Sequence, residues 1–217
     1  MRILALEFSS DRRSVAVAVA GAVRGQAAEA GGRESHPFQL IEVALREAGV
    51  TREEIEVLAV GLGPGSYNGI RSTIAVAQGW QLAQPVKLVG VSSVACLAAQ
   101  AQASGLTGAV SCAVDAQRGE FYLARYQIAA DSIRETEALH LAGREEVAAR
   151  AAVGDVLVGP GEKSGSPGLQ QSYPEAATLA QLAAARTDFV SGETLEPIYL
   201  REATFVKAPP PRTIPGI

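Results

Sequence analysis

The sequence predicts an α/β fold, and three observations carry that prediction. Short apolar, β-branched runs (3–6, 14–20, 57–61, 86–91) alternate with longer stretches in which apolar residues recur at helical period. Glycine-centred turns separate the two kinds of stretch. Of the 217 residues, 47% are hydrophobic, enough to fill a core between stacked layers.

The elements follow in order. Residues 3–6 are an apolar run, and 14–20 (SVAVAVA) alternate at the strand period of two. Gly21 turns the chain into a third strand at 22–29, and Gly31-Gly32 closes this meander. A helix comes next: Ser35 is its expected N-cap, Pro37 suits its first turn, and Gly49 is its expected C-terminal stop. Within it Ile41, Ala44, Leu45 and Ala48 share one face. Thr51 and Glu54 have capping-box spacing. A buried strand at 57–61 leads through a glycine-rich turn into a helix at 68–83, ended by Pro85. Another strand at 86–91 precedes a helix, capped by Ser92 or Ser93, that runs to about residue 103. Strands at 109–115 and 120–128 flank the turn Gln117-Arg118-Gly119. A helix at 144–152, a strand at 156–159 and an alanine-rich helix at 174–186 complete the pattern. The small, polar stretch 103–108 marks a boundary, so we expect an N-terminal unit at 1–105 and a smaller C-terminal unit at 106–207 whose end packs back on the first. The tail 208–217 holds four prolines and is expected to be extended and mobile.

Composition narrows the function classes. Lys+Arg is 19 and Asp+Glu is 23, for a net charge of −4, which disfavours nucleic-acid binding by this chain alone. Arg12, Arg13, Arg118, Arg201 and Lys207 are scattered through the sequence, and only the tail, with Arg201, Lys207 and Arg212, is locally basic. No apolar run has the length of a membrane span, and the opening MRILALEFSSD lacks the pattern of a secretory leader, so a cytoplasmic protein is expected. Cys96 and Cys112 form no CxxC and are expected as buried free thiols. His36 and His140 are too far apart in sequence to suggest a metal site, and no metal is expected. With only these two histidines, no Ser-His-Asp set can be assigned, which argues against a protease.

The stretch 61-GLGPGSYNGIRSTIAVAQGW-80 is the most unusual in the chain. It has no Lys and no GxxxxGK[ST] spacing, no GxGxxG and no GxSxG, so it is not a Walker loop, a dinucleotide fingerprint or a nucleophile elbow. It reads as a tight strand–helix turn whose amides could meet an anion. The helix behind it carries no charge between Arg71 and Lys87. Ile70, Ile74, Ala77 and Gln81 lie along one stripe, Val76, Trp80 and Ala83 along another, and Ser72, Thr73, Ala75 and Gly79 are small. A helix without a charged side is expected to be buried on two faces, one against its own sheet and one against a neighbour.

These residues resemble a known family. GLGPGSYNGIRSTIAVAQGWQLA is similar to the pattern GxGPGS[FY]TGxRxGxxxAxGLA of the TsaB (YeaZ-like) family, which serves tRNA threonylcarbamoyladenosine biosynthesis. MRILALEFSSDRRSVAVA, AVDAQRGEFYLARY (113–126) and EPIYLRE (196–202) resemble three further family segments in the same order. The resemblance implies an actin/Hsp70-like (ASKHA) fold of two RNase H-like subdomains, the second reduced. It implies a non-catalytic subunit, not an enzyme on its own, that binds and activates TsaD, with the ATPase TsaE in the ternary complex. A homodimer in isolation is implied too, with tRNA met only through the complex. It places the partner interface on the helices at about 36–48 and 68–82, at His36, Leu40, Ala44, Ile70, Thr73, Ile74, Ala77 and Gln78, so that Ile74→Glu is expected to break the complex and spare the fold. His36 stands where a TsaD-like chain begins an HxxxH metal pair, but Leu40 occupies the second position. Candidate nucleotide or anion contacts are Ser9, Ser10, Gly63, Gly65, Ser66, Gly159 and Gly161, with no intrinsic cofactor and ATP or ADP at most at a complex interface. The first loop departs from the ASKHA pattern, having Glu7-Phe8-Ser9-Ser10 in place of Asp followed by Gly-Thr or Ser-Thr. The alternative is a small ASKHA-type ATPase or kinase, which would draw on Glu7, Asp11 and Asp115 as its acids.

Overall fold

The computed structural model describes residues 1–30, 36–161 and 168–201. The expectations for Gly31-Gly32, for Ser35 as a cap and for the tail 208–217, together with Lys207 and Arg212, lie outside the described residues.

Two five-stranded sheets are built on one plan. In the first, β1 (Arg2–Glu7), β2 (Arg12–Val19) and β3 (Ala22–Ala30) form an antiparallel meander. β4 (Val57–Gly61) then adds parallel to β1, and β5 (Lys87–Val91) parallel to β4, giving the order β3-β2-β1-β4-β5. In the second, β6 (Gly108–Asp115), β7 (Glu120–Ile128) and β8 (Ile133–Gly143) repeat the meander. β9 (Val156–Gly159) and the two-residue β10 (Gln170–Gln171) repeat the parallel additions. The two orders coincide strand for strand. This duplication is the ASKHA architecture of two RNase H-like halves, and the second is reduced, its last strand being only two residues long.

Both faces of the first sheet are covered. Leu4, Leu6, Val15, Val17, Leu58, Val60 and Leu88 point to one face, where α1 (Pro37–Ala48) and α2 (Tyr67–Ala83) pack. Ile3, Ala5, Ala16, Ala18, Val57, Ala59 and Val89 point to the other. The alternation is the period-two readout of the strand sequences. Each large apolar side chain so buried contributes about 1.5–3 kcal/mol. The alanines on the second face admit α5 (Ala176–Ala184), whose Ala176, Ala180 and Ala183 are equally small and whose Leu179 fills the space between.

The helices cross between the halves. α3 (Ser93–Ala103) follows the first sheet in sequence, yet its Val94, Leu97, Ala98 and Ala101 fill the core of the second, against Val110, Cys112, Tyr126 and Ile128. α5 follows the second sheet in sequence and seals the first. Gln100 of α3 ties the exchange: its Nε2 donates to the Tyr173 carbonyl at 2.9 Å, and its Oε1 accepts from the Glu175 amide at 3.2 Å. Among the described residues, the opposite face of the second sheet is covered by α4 (Arg144–Ala152), through Val147, and by Leu169.

A polar clamp supplements that thin cover. Asp155, buried at the entry to β9, accepts two hydrogen bonds from Arg125 of β7, at 2.8 and 2.9 Å, and one from Ser111 of β6 at 2.7 Å. Three strands are thereby pinned at one point. The Arg125 guanidinium holds the Asp155 carboxyl below the usual carboxylate range.

Cys96 and Cys112 are buried free thiols, as expected. Burial pushes the Cys112 thiol up to about 12, which makes it unreactive at neutral pH. Among the described residues no helix is long and apolar enough to cross a membrane.

Candidate partner face and inter-lobe cleft

The glycine-rich turn sets where α2 begins. Ser66 caps the helix, its Oγ accepting from the Gly69 amide at 3.4 Å, while its own amide donates to the Ser9 carbonyl at 2.7 Å. A Cβ at Gly65 would stand 2.0 Å from the Ser9 carbonyl oxygen, and one at Gly69 equally close to that of Phe8. Only glycine lets the helix start press against the loop that leaves β1. The turn is a pivot that fixes the axis of α2.

That axis decides which residues can meet a partner. Of the eight expected at the interface, Leu40, Ala44, Ile70, Thr73, Ile74 and Ala77 are buried in the chain's own core beneath α1 and α2. Their stripe faces the sheet because it carries the bulk that fills the layer, while the small stripe turns outward. Ile74→Glu would therefore put a charge inside the fold, which corrects the expectation that it spares the fold. His36 is exposed, with its Nδ1 3.7 Å from Glu29, and Gln78 is half-buried, its Nε2 donating to the Gly192 carbonyl at 2.8 Å. The outward faces carry Phe38, 61% exposed, and Leu82, 90% exposed, with Ala75, Gly79 and Ala83 also exposed. Gly79 is telling: a Cβ there would meet nothing within 4 Å, so nothing in the described chain requires glycine in mid-helix. Glycine at such a place costs about 1 kcal/mol relative to alanine. The sequence signal for this face is Leu82, an apolar residue off the packed stripe.

A cleft of about 390 Å³ opens between the two lobes. Ser9 and Ser10 from the β1–β2 loop and Gly65 and Ser66 from the pivot line it, as expected, opposite Asp115 and Gln117 of the second lobe. Gly63, Gly159 and Gly161 are not part of its lining. The Gly63 amide donates to Ser93 Oγ at 3.2 Å, Gly159 lies against the Ala113 carbonyl, and Gly161 lies against Leu169. These three glycines serve close packing, and sequence alone does not separate that role from ligand approach.

The electrostatics of the cleft do not suit a bare polyphosphate. Several amides that an anion would need are already engaged: Ser9 N with Glu7 Oε1 at 2.8 Å, Ser66 N with the Ser9 carbonyl, Gln117 N with Asp115 Oδ1 at 2.7 Å. Among the described lining residues the charged ones are Asp11 and Asp115, both acidic. Glu7, where an ASKHA enzyme carries its first acid, turns away from the cleft. Its carboxyl is buried against Gly61 and accepts from Ser93 Oγ at 2.8 Å. Burial pushes its pKa up, against the hydrogen bonds from Ser9 and Ser93 that pull it down. Among the described residues the two histidines contact Glu29, Ala138, Glu137 and Glu146, and neither is bonded to a serine.

Comparison with known proteins places the chain. A family model described as TsaD, tRNA N6-adenosine threonylcarbamoyltransferase, matches residues 35–188. The tRNA threonylcarbamoyladenosine biosynthesis protein TsaB of Escherichia coli K12 is 35% identical over 144 residues, covering 64% of this chain and 62% of that protein. The chain thus spans about three-fifths of that relative's length. The protein of the same name from Haemophilus influenzae is 25% identical over 192 residues, covering 78% of this chain and 80% of its own. Among solved structures, YeaZ from Pseudomonas aeruginosa superposes with a TM-score of 0.78 at 30% identity, over 92% of this chain and 99% of that one. A second Pseudomonas aeruginosa structure, described as similar to the peptidase YEAZ, matches equally.

Proposed function

This chain belongs to the TsaB (YeaZ) family of tRNA threonylcarbamoyladenosine biosynthesis proteins, and we propose that it is the non-catalytic subunit that binds and activates a TsaD-type transferase. The outer faces of α1 and α2 are the docking surface. One observation carries this reading: α2 is charge-free from Ser72 to its end at Ala83 and exposes Gly79 and Leu82 where the described chain has no use for either. A helix face of small residues lets a second helix approach closely, and Phe38 and Leu82 supply the apolar contact at its margins. A standard interface would bury about 800 Å² on each partner.

In this reading the same face serves a homodimer in the isolated protein, so dimer and TsaD complex exclude one another. The ATPase TsaE joins the ternary complex, and tRNA is met through TsaD. The chain holds no cofactor of its own. The acceptor-rich cleft is not a phosphate cradle by itself, so ATP or ADP would enter only at the junction with a partner. The work is cytoplasmic, where the tRNA substrate lies.

The test is threonylcarbamoyl transfer to tRNA in a mixture of TsaD, TsaE and the activated intermediate. Transfer that depends on this chain, and none by the chain alone, supports the proposal. Leu82→Glu, added in place of the parent chain, should fail to support transfer while leaving the isolated chain folded. Undiminished transfer without the chain would sink it. ATP turnover by the chain alone, lost in Asp115→Asn, would then favour the small ATPase built on Asp11 and Asp115.

A further inference from the structure

A compact ionic group lies away from both the docking face and the cleft, where β8 meets α4. Its position follows from a β-bulge. Leu123 of β7 pairs with His140 and Arg125 pairs with Glu137, so two steps on β7 span three on β8. In a regular strand, residues three apart face opposite sides. The bulge turns Glu137 and His140 to the same side, beneath α4. There His140 Nε2 stands 2.9 Å from Glu146 and 3.6 Å from Glu137, and Arg150 of α4 bonds Glu137 at 2.6 Å and lies 3.6 Å from Glu146. Across on β7, apolar Leu123 stands opposite His140, and Arg125 is committed to Asp155.

Geometry sets the charge of the ring. His140 Nδ1 is 2.9 Å from the Ala138 carbonyl, and Nε2 is 2.9 Å from a Glu146 carboxylate oxygen. Both nitrogens face acceptors, and only the imidazolium has a proton for each. With His140 charged, the two carboxylates of Glu137 and Glu146 are balanced by His140 and Arg150. Deprotonation leaves one excess negative charge and a ring lone pair facing an acceptor. The ligand atoms of Glu137, His140 and Glu146 lie within 4.8 Å of one another, but Arg150 already serves both carboxylates, so the group takes a proton and not a metal ion.

Among the described residues the one buried side chain of α4 is Val147, so polar links carry an unusual share of its docking. Its first residue, Arg144, has its Nε 3.5 Å from where a Cβ of Gly119 would be. Gly119 belongs to the turn whose Gln117 lines the inter-lobe cleft. We propose that His140 is a proton latch: its imidazolium holds α4 on the second sheet, and its deprotonation releases α4 together with the cleft-facing turn at 117–119.

The direction follows from linkage. The carbonyl of Ala138 and then Glu146 raise the His140 pKa. A raised histidine contributes fully below its unfolded value, about 6.5, and the contribution is lost as pH rises through the folded value. Amide hydrogen exchange on the full chain at pH 6 and pH 8.5, corrected for intrinsic rates, reads this directly. Protection of 145–152 should fall roughly threefold to tenfold at the higher pH relative to α3 and α5. In His140→Gln that pH dependence should vanish. Glu146→Gln keeps the histidine, and its ring proton signals should titrate at lower pH than in the parent. Equal protection of α4 at both pH values, or a fall that persists unchanged in His140→Gln, would overturn the latch.

Discussion

The first sheet is enclosed on both faces by the apolar sides of helices, whereas among the described residues the second has α3 on one face and the short, charged α4 as the helix on the other. The strand order is the same, so topology does not set the means of closure. In the first lobe, hydrophobic burial does the work and leaves the outer sides of α1 and α2 free for other use. In the second, Arg125, Asp155, Ser111 and the His140 group supply part of what apolar area does not. One lobe is thus sensitive to buried charge and the other to lost charge.

Substitutions can break or sharpen this contrast. The largest effect should come from Ile74→Glu, which places a carboxylate in the first lobe's core. We expect a loss of about 3–5 kcal/mol in urea unfolding, and a near-native midpoint would mean that Ile74 is not packed as described. Asp155→Ala strikes the second lobe by removing a charge. Arg125 is still 32% exposed, so water screens it and the expected loss is about 2 kcal/mol, less than for a fully buried pair. The folded pKa of Asp155 is depressed, so its contribution is present above the ordinary carboxylate value and lost as pH falls through the folded one. The parent and Asp155→Ala should therefore converge in stability as pH falls below the ordinary carboxylate value, and a gap that stays constant would refute the electrostatic account. Leu82→Glu should leave the urea midpoint unchanged and weaken TsaD binding tenfold or more, about 1.4 kcal/mol, by calorimetric titration. Gly79→Ala is the smallest and the most pointed. The isolated chain should gain roughly 0.5–1 kcal/mol while the complex weakens. If both improve, the glycine is not kept for a partner.

Much of this was legible in the residues. The strands at 57–61, 120–128 and 156–159 and the helix at 144–152 fall where period and punctuation place them. Gly49 ends α1 in the left-handed conformation that a C-terminal glycine stop requires. β8 was not legible: Arg134, Glu135, Glu137, Ala138 and Leu139 favour helices by propensity, and their strand state comes from pairing with β7, a non-local cause. The site was half legible. The peculiarity of α2 is evident from its lack of charge, but two stripes of similar hydrophobicity compete for the sheet, and a helical wheel cannot rank them. Bulk decides it, since Ile70 and Ile74 fill the layer and Ala75 and Gly79 cannot. The cleft joins Ser9 to Asp115 across more than a hundred residues, which no local pattern reports.

The exchange of α3 and α5 between the lobes bears on how the chain is made. Synthesis is vectorial, and the first sheet is complete in sequence at Val91. The helix that covers its second face begins at Ala176, about 85 residues later. At translation rates of about 5–20 residues per second, that face is bare on the ribosome for roughly 4–17 s. Its residues are mostly alanine and valine, with no aromatic side chain among them. A surface so small-featured offers a passing chain little to grip, and the nascent sheet is guarded during that wait by the modesty of its own side chains.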